Sequence, residues 1–170
     1  MATVVQGKRI IYLFRRLSEK SSKAGLGVAF VTENERTKSR DSDSTATKDG
    51  NIVTAGGLEH EVTASYLESV EATGDSHFTS DDLEDCIDNN ALMEIWEVNL
   101  DKPGSATGKY KGLYMQGYIT DWTRTSAADE AAEGEVTFSI NGKGAAGDVT
   151  ASDAVIDAAA YVFTDATQGA

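Results

Sequence analysis

Residues 41–45, Asp-Ser-Asp-Ser-Thr, have the spacing of the D-x-D-x-T motif, whose first aspartate is a nucleophile in phosphoryl transfer. That chemistry needs the first aspartate at the end of a buried apolar strand, but the polar residues 37–40 precede Asp41. An EF-hand calcium loop is excluded too, because Ala46 stands where that loop needs glycine and its twelfth position is not glutamate. Neither a phosphatase nor an EF-hand is predicted.

The imidazole and thiol side chains do not form a recognisable site. His60 and His77 are the only histidines, and neither belongs to an H-x-x-x-H or H-E-x-x-H motif. His60 shares a predicted strand face with apolar residues, so a half-buried structural role is expected. Cys86, the only cysteine, lies in an acidic helical segment that raises a thiol pKa, and an inert thiol is expected. Phosphate-binding glycine loops and nucleophile elbows are absent from the sequence, so no catalytic residue, cofactor site or metal site is predicted.

Charge is distributed unevenly along the 170 residues. The chain has 28 acidic and 15 basic side chains, for a net charge of −13, yet residues 1–40 carry +6 and the remainder −19. The acidic total argues against a general nucleic-acid binder. The asymmetry fits either an unevenly charged solvated surface or head-to-tail association between unlike patches.

Length and hydropathy place further limits. A chain of 170 residues with 40% hydrophobic residues can fold as one domain without disulfides or a metal. No apolar run approaches the roughly 20 residues that span a bilayer, and the first nine residues lack a signal-peptide pattern. Neither membrane insertion nor classical secretion is expected, and the single cysteine fits synthesis in a reducing cytoplasm.

Periodicity predicts a mostly β, α+β domain, either a β-sandwich or a partial barrel, with one flanking helix at 80–90. Residues 33–57 have almost no large apolar side chains and are predicted to be an exposed, mobile loop or long arm. A Gly/Ala-rich link is predicted at 141–148. Strands are predicted at 10–14, 27–31, 58–66, 92–100, 133–141 and 155–164, and a long strand or a pair of strands is predicted at 109–124.

Two predicted strands are polar on one face and apolar on the other. Strand 58–66 places Leu58, Val62, Ala64 and Tyr66 opposite Glu59, Glu61, Thr63 and Ser65. Strand 133–141 repeats the pattern, with Val136, Phe138 and Ile140 opposite Glu133 and Glu135. Such strands are half-buried, and their carboxylates face water.

A ligand-binding module is the competing interpretation. Five aromatic side chains could stack on sugar rings as a carbohydrate-binding platform, and four of them have the same strand parity. The five are Trp96, Tyr110, Tyr114, Tyr118 and Trp122.

Several segments resemble the major tail proteins, or tail tube proteins, of phages with long, flexible, non-contractile tails. They are VVQGKRIIYLFRRL, SRDSDSTATKDGNIVTAGGLEHEVTA, MEIWEVNL, GKYKGLYMQGYITDW and EVTFSINGKG, together with the ending AAYVF. The stretch at 43–50 is the most specific part. The resemblance implies a single tail tube domain over residues 1–170, and a structural virion protein rather than an enzyme.

The resemblance also implies an assembly. Hexameric rings would stack into a tube through which viral DNA passes without specific binding, and the subunits would be made in the host cytoplasm and reside in the virion tail. Tape measure and tail terminator or initiator proteins are the implied partners besides the chain itself. Residues 33–57 map to an inter-ring loop, and alternation predicts a lumen lined by Glu59, Glu61, Glu133 and Glu135. The charged residues of the predicted inter-ring loop are Arg36, Lys38, Arg40, Asp41, Asp43, Lys48 and Asp49.

Overall fold

A computed structural model describes residues 1–70 and 77–151. Seven strands form one antiparallel sheet in the order β1-β4-β5-β6-β3-β2. β7 also pairs with β5, on the same edge of β5 as β6. Tyr114 pairs with both β4 and β7, and Gly117 pairs with both β4 and β6, so β6 and β7 both lie on the edge opposite β4. The elements are β1 Ile10–Arg16, β2 Val31–Thr47, β3 Gly50–Leu67, α1 Ser80–Asp88, β4 Met93–Pro103, β5 Lys109–Thr125, β6 Glu133–Ile140 and β7 Ala145–Thr150.

The sheet curls around a main hydrophobic core. Phe14 on β1 stacks on Phe138 of β6 with ring centroids 5.0 Å apart, although two strands separate them in the sheet. Val62, Ile95 and Val136 are fully buried in the same core. A smaller apolar cluster on the other face of the sheet contains Leu13, Val98, Leu100 and Ala151. The predicted mostly β fold with one flanking helix is confirmed.

Three side chains join the two ends of the curled sheet, and we call them the closure cluster: Tyr12 on β1, Glu97 on β4 and Arg36 on β2. The Tyr12 hydroxyl donates to Glu97. Arg36 donates to both carboxylate oxygens of Glu97, from Nε at 2.7 Å and from Nη2 at 3.3 Å. Because β1 and β2 are the terminal strands and do not pair with each other, side-chain contacts take the place of a backbone ladder here.

α1 covers the core and has a clear N-terminal signal. Thr79 accepts from the Asp82 backbone N–H at 3.3 Å, and Asp82 accepts from the Thr79 N–H at 3.0 Å, which is a capping box. Leu83 and Cys86 turn into the core. The predicted helix at 80–90 is confirmed.

Two local predictions are wrong and one lies outside the described residues. Instead of a strand at 27–31, only isolated bridges form, at Leu26 and Val28, because Phe30 turns the chain with a φ of 53°. The predicted link at 141–148 contains the start of β7, since Gly142 and Gly144, with φ of +71° and +80°, confine the turn to four residues. The strand predicted at 155–164 lies outside the described residues.

Candidate functional site

One face of four adjacent strands, β2, β3, β6 and the second half of β5, is covered by carboxylates and hydroxyls, and we call it the polar face. Directly paired residues of an antiparallel sheet share a face. Thr63 Oγ1 lies 3.4 Å from Thr137 Oγ1, and Thr120 Oγ1 lies 3.0 Å from Ser139 Oγ across neighbouring strands. The carboxylates that the pairing places there are Glu33, Glu35, Glu59, Glu61, Asp121, Glu133 and Glu135.

The four predicted lumen residues therefore lie on one continuous surface, and all four are exposed. Along both strands the exposed residues alternate with buried ones that point to the opposite face. The buried residues Val62, Ala64, Val136 and Phe138 are 0% exposed. The described strand residues of this face contain no lysine or arginine. The surface is thus hydrated and negatively charged, and it repels phosphate groups.

The segment predicted as a mobile loop is a two-stranded β-hairpin. Residues 33–57 belong to β2 and β3, which pair from Val31 and Tyr66 to a two-residue turn at Lys48 and Asp49. Gly50, with a φ of +123°, closes this turn. The prediction of an exposed arm is correct, but the prediction of a structureless loop is wrong, because backbone pairing of two polar strands does not need an apolar face.

Beyond a β-bulge at Asp41 and Gly56 the hairpin leaves the body of the domain, and we call residues 41–57 the arm. Every arm residue is exposed. Asp41, Asp43, Lys48 and Asp49 lie on it.

Of the four basic residues assigned to the predicted inter-ring loop, Lys48 lies in the turn at the tip of the arm, and the other three have different positions. Arg36 belongs to the closure cluster, where it holds its own domain together. Lys38 donates to the carbonyl of Lys143 at 3.0 Å, and Arg40 donates to the carbonyl of Gly56 at 2.9 Å. Only Arg40 therefore lies at the beginning of the arm.

His60 is a buried structural residue, 2% exposed, behind the closure cluster. Its Nδ1 lies 3.0 Å from the Gly142 carbonyl and its Nε2 lies 3.5 Å from Arg36 Nη1. Burial lowers the pKa of His60, and the cations of Lys38 and Arg36 act in the same direction. With Nδ1 donating to the carbonyl, the neutral ring presents Nε2 as an acceptor.

Cys86 is 1% exposed, and burial raises its thiol pKa, so it has the features of an inert core cysteine. Among residues 1–70 and 77–151, no three His, Cys, Asp or Glu side chains are grouped to hold a metal ion. No helix of those residues is long and apolar enough to cross a membrane.

Sequence reasoning missed a buried carboxylate. Glu94 is 1% exposed, and it accepts from Arg15 Nε at 2.6 Å and from the Tyr114 hydroxyl at 2.7 Å. Burial acts to raise the pKa of Glu94, but these two bonds outweigh it and lower the pKa. Arg15 also donates to the carbonyl of Lys23, so the cluster fixes the turn that follows β1. The only sequence signal was a glutamate inside the apolar run LMEIWEVNL.

The proposed aromatic platform does not form. A register shift between Ile119 and Asp121 changes the parity of β5, so that Trp122 packs against the main core while Tyr118 remains 36% exposed. Tyr110 packs on the smaller apolar cluster. The ring centroids of Tyr114 and Trp96 lie 5.5 Å apart, and the Tyr114 hydroxyl donates to the Glu94 carboxylate. The five rings therefore offer no common stacking surface.

Comparisons with known proteins agree with this architecture. A putative tail protein of Staphylococcus phage phiMR25 is 30% identical over 174 residues, which cover 99% of this chain and 86% of the relative. The SPP1 tail tube has a TM-score of 0.72 at 16% identity, covering 97% of this chain and 92% of that one. The tail of a gene transfer agent particle, refined with C6 symmetry, has a TM-score of 0.62 at 11% identity, covering 84% and 98%.

These structural likenesses establish the fold, and the sequence matches establish the family. The sequence profile of the phage tail tube protein family matches residues 4–146. The polar face and the exposed arm both lie within that range. This chain therefore belongs to the phage tail tube protein family.

Proposed function

We propose that this chain, as a single domain over residues 1–170, forms hexameric rings that stack into the tail tube, and that the polar face lines the bore. The continuous polar face carries the proposal. A water-filled channel needs a hydrated wall, and the hydroxyls and carboxylates of four adjacent strands supply one. The C6 symmetry of the gene transfer agent tail supports six subunits per ring.

The sign of the wall suits the passage of DNA. With six copies in a ring, each carboxylate is repeated around the lumen and the repulsion on phosphates becomes continuous along the tube. DNA then slides without specific binding. The role is structural, with no catalysis assigned to any residue.

The arm is the second element of the assembly. Because every arm residue is exposed, the side chains of the arm are available to contact the next ring of a stack. The charged groups that the arm presents to the next ring are Asp41, Asp43, Lys48 and Asp49, with Arg40 at its base. Closed rings joined head to tail by such heterologous contacts grow into open filaments.

The remaining assignments rest on the family. The subunits are made in the host cytoplasm and become part of the virion tail. Tape measure and tail terminator or initiator proteins are the further partners that the family implies.

Electron microscopy of concentrated purified protein tests the assembly. We expect hollow tubes and, in end views, six-fold rings. A protein that remains monomeric at high concentration, with and without tube fragments as seeds, would contradict the proposal.

The bore assignment is tested by reversing charge on the polar face. Glu61→Lys with Glu135→Lys should form tubes that retain DNA at low salt and release it as salt rises, because phosphate binding releases counterions. Glu84→Lys with Asp88→Lys is the matched control, since it makes the same change in net charge on α1, on the other side of the sheet. Equal DNA retention by both variants, or none by the first, would show that the polar face does not line the bore.

A further inference from the structure

Asn141 is the only asparagine of the chain that a glycine follows, and it comes directly after the last residue of β6. It is exposed. Its backbone N–H donates to the Gln116 carbonyl at 2.8 Å, which extends the ladder between β5 and β6 by one residue. Because side chains alternate along a strand, Asn141 falls on the same face as Ser139, which is the polar face. An exposed carboxamide therefore continues the polar face beyond the end of β6.

The next residue, Gly142, has an accessible backbone nitrogen. Its φ is +71°, and a Cβ built on it would have no atom within 4 Å. Within residues 1–70 and 77–151, no backbone carbonyl accepts from the Gly142 N–H. Since glycine has no side chain to hinder its own nitrogen, that nitrogen can approach Cγ of Asn141. A nucleophile and a carboxamide carbon are thus neighbours in an open turn.

We propose that Asn141 undergoes spontaneous deamidation in the folded chain, which converts its neutral carboxamide into a carboxylate on the polar face. The reacting groups are the Gly142 nitrogen and the Asn141 side chain, and water is the only co-reactant. In the proposed tube, each converted chain adds one negative charge to the wall of the bore. That consequence alone rests on the proposed function, because the reaction itself belongs to the single chain.

The reaction has two steps. In the first, the Gly142 nitrogen forms a bond to Cγ of Asn141 and gives up its proton, the bond from Cγ to Nδ2 breaks, and the amide group takes up a proton and leaves as ammonia. The product is a five-membered succinimide ring. In the second step, water adds to one of the two ring carbonyls. Attack at Cγ breaks the new bond and gives aspartate, whereas attack at the backbone carbonyl carbon gives isoaspartate, with Cγ in the main chain.

The neighbouring structure distinguishes the two products. The carbonyl oxygen of Gly142 lies 3.0 Å from His60 Nδ1, and His60 is 2% exposed. Aspartate leaves the backbone unchanged, whereas isoaspartate inserts one methylene group before Gly142 and moves that carbonyl. A buried N–H that loses its acceptor lowers stability. The isoaspartyl chain is therefore expected to be less stable than the aspartyl chain.

Mass spectrometry of the unassembled wild-type chain tests the site. The protein is incubated at physiological temperature in water enriched in heavy oxygen, transferred to ordinary water and digested with an acid protease, so that only conversion during the incubation carries the label. We expect labelled aspartyl and isoaspartyl forms of the peptide that contains residue 141, and faster labelling at higher pH because the deprotonated nitrogen is the nucleophile. Asn51 is the internal control, since it is also exposed but is followed by Ile52, whose β-branched side chain hinders the nitrogen.

The outcomes are decisive for the site. A peptide that stays unlabelled at residue 141, or that is labelled no faster than Asn51, would overturn the inference. Labelling that occurs only in chains unfolded with urea would overturn it too, since the inference requires the folded turn. No tubes are needed for this measurement, so its failure would leave the proposed function intact, and the absence of tubes in the electron microscope would leave this inference intact.

Urea unfolding of the separated products tests the effect on His60. The aspartyl product should unfold at the same urea concentration as the Asn141→Asp variant, which has the new charge and an unchanged backbone. The isoaspartyl product should unfold at a lower concentration. Equal midpoints for the two products would overturn the assigned loss of the contact between Gly142 and His60.

Discussion

The closure cluster should contribute measurably to stability, and Arg36→Met tests it. Methionine keeps much of the aliphatic stem but removes the guanidinium that donates twice to Glu97. The Glu97 carboxylate is then left partly buried, with the Tyr12 hydroxyl as its donor. The two terminal strands of the sheet lose their charged link.

The magnitude follows from the exposure of the pair. The side chains of Arg36 and Glu97 are 26% and 22% exposed. Breaking a fully buried ion pair costs about 3–5 kcal/mol, whereas an exposed pair contributes less than about 1 kcal/mol. A pair of intermediate exposure should therefore contribute about 2 kcal/mol. In a domain of this size, that loss lowers the melting temperature by about 4–8 °C.

Urea unfolding followed by tryptophan fluorescence, at concentrations too low for tubes, measures the change. Arg40→Met is the matched control, because the guanidinium of Arg40 donates to a carbonyl at the base of the arm. Its effect should stay within about 0.5 kcal/mol. In combination with Glu97→Gln, Arg36→Met should cost less than the two single changes together. Equal stability of the Arg36 and Arg40 variants would refute the idea that this cluster closes the sheet.

Two further predictions concern residues near the same core. The free energy of unfolding should fall by up to about 1 kcal/mol per pH unit as pH drops below about 6.5, because the pKa of His60 is lowered in the folded state and the unfolded chain takes up the proton first. The His60→Gln variant, unfolded over the same pH range, should lack this loss. A pH profile of the variant equal to that of the wild type would contradict the role of His60 in this loss. Gly117→Ala should lower the free energy of unfolding in urea by about 3 kcal/mol, because the added Cβ would lie 2.2 Å from the Ser139 carbonyl oxygen. Gly147→Ala is the control, since a Cβ at Gly147 would lie in open space. Equal losses in the two variants would refute the packing argument.

Much of the fold follows from local patterns in the sequence. The alternation around Val62 and Val136 predicted which face of each strand is buried, and the spacing of Thr79 and Asp82 matches the cap that begins α1. In both cases the deciding interactions are local. A buried strand face or a helix N-terminus can be recognised within a few residues.

The hairpin and the closure cluster are different, because their partners are distant in sequence. The pair Asp49 and Gly50 is a typical hairpin turn signal, but the flanking strands lack apolar alternation and so were interpreted as a loop. Arg36 and Glu97 are separated by 61 residues. Nothing local distinguishes Arg36 from Lys38, so the assignment of Arg36 to an inter-ring contact could be corrected only by the structure.

The charge pattern shows why strand geometry matters more than regional composition. Residues 33–40 carry three basic and two acidic side chains, and by composition they belong to the basic end of the chain. In β2, however, Glu33 and Glu35 share a face with Glu59 and Glu61, whereas Arg36 and Lys38 point to the opposite face. Alternation therefore sorts a mixed-charge segment into a purely acidic surface and a basic one. The acidity of the polar face thus depends on register, and shifting β2 by one residue would place its cations on that face.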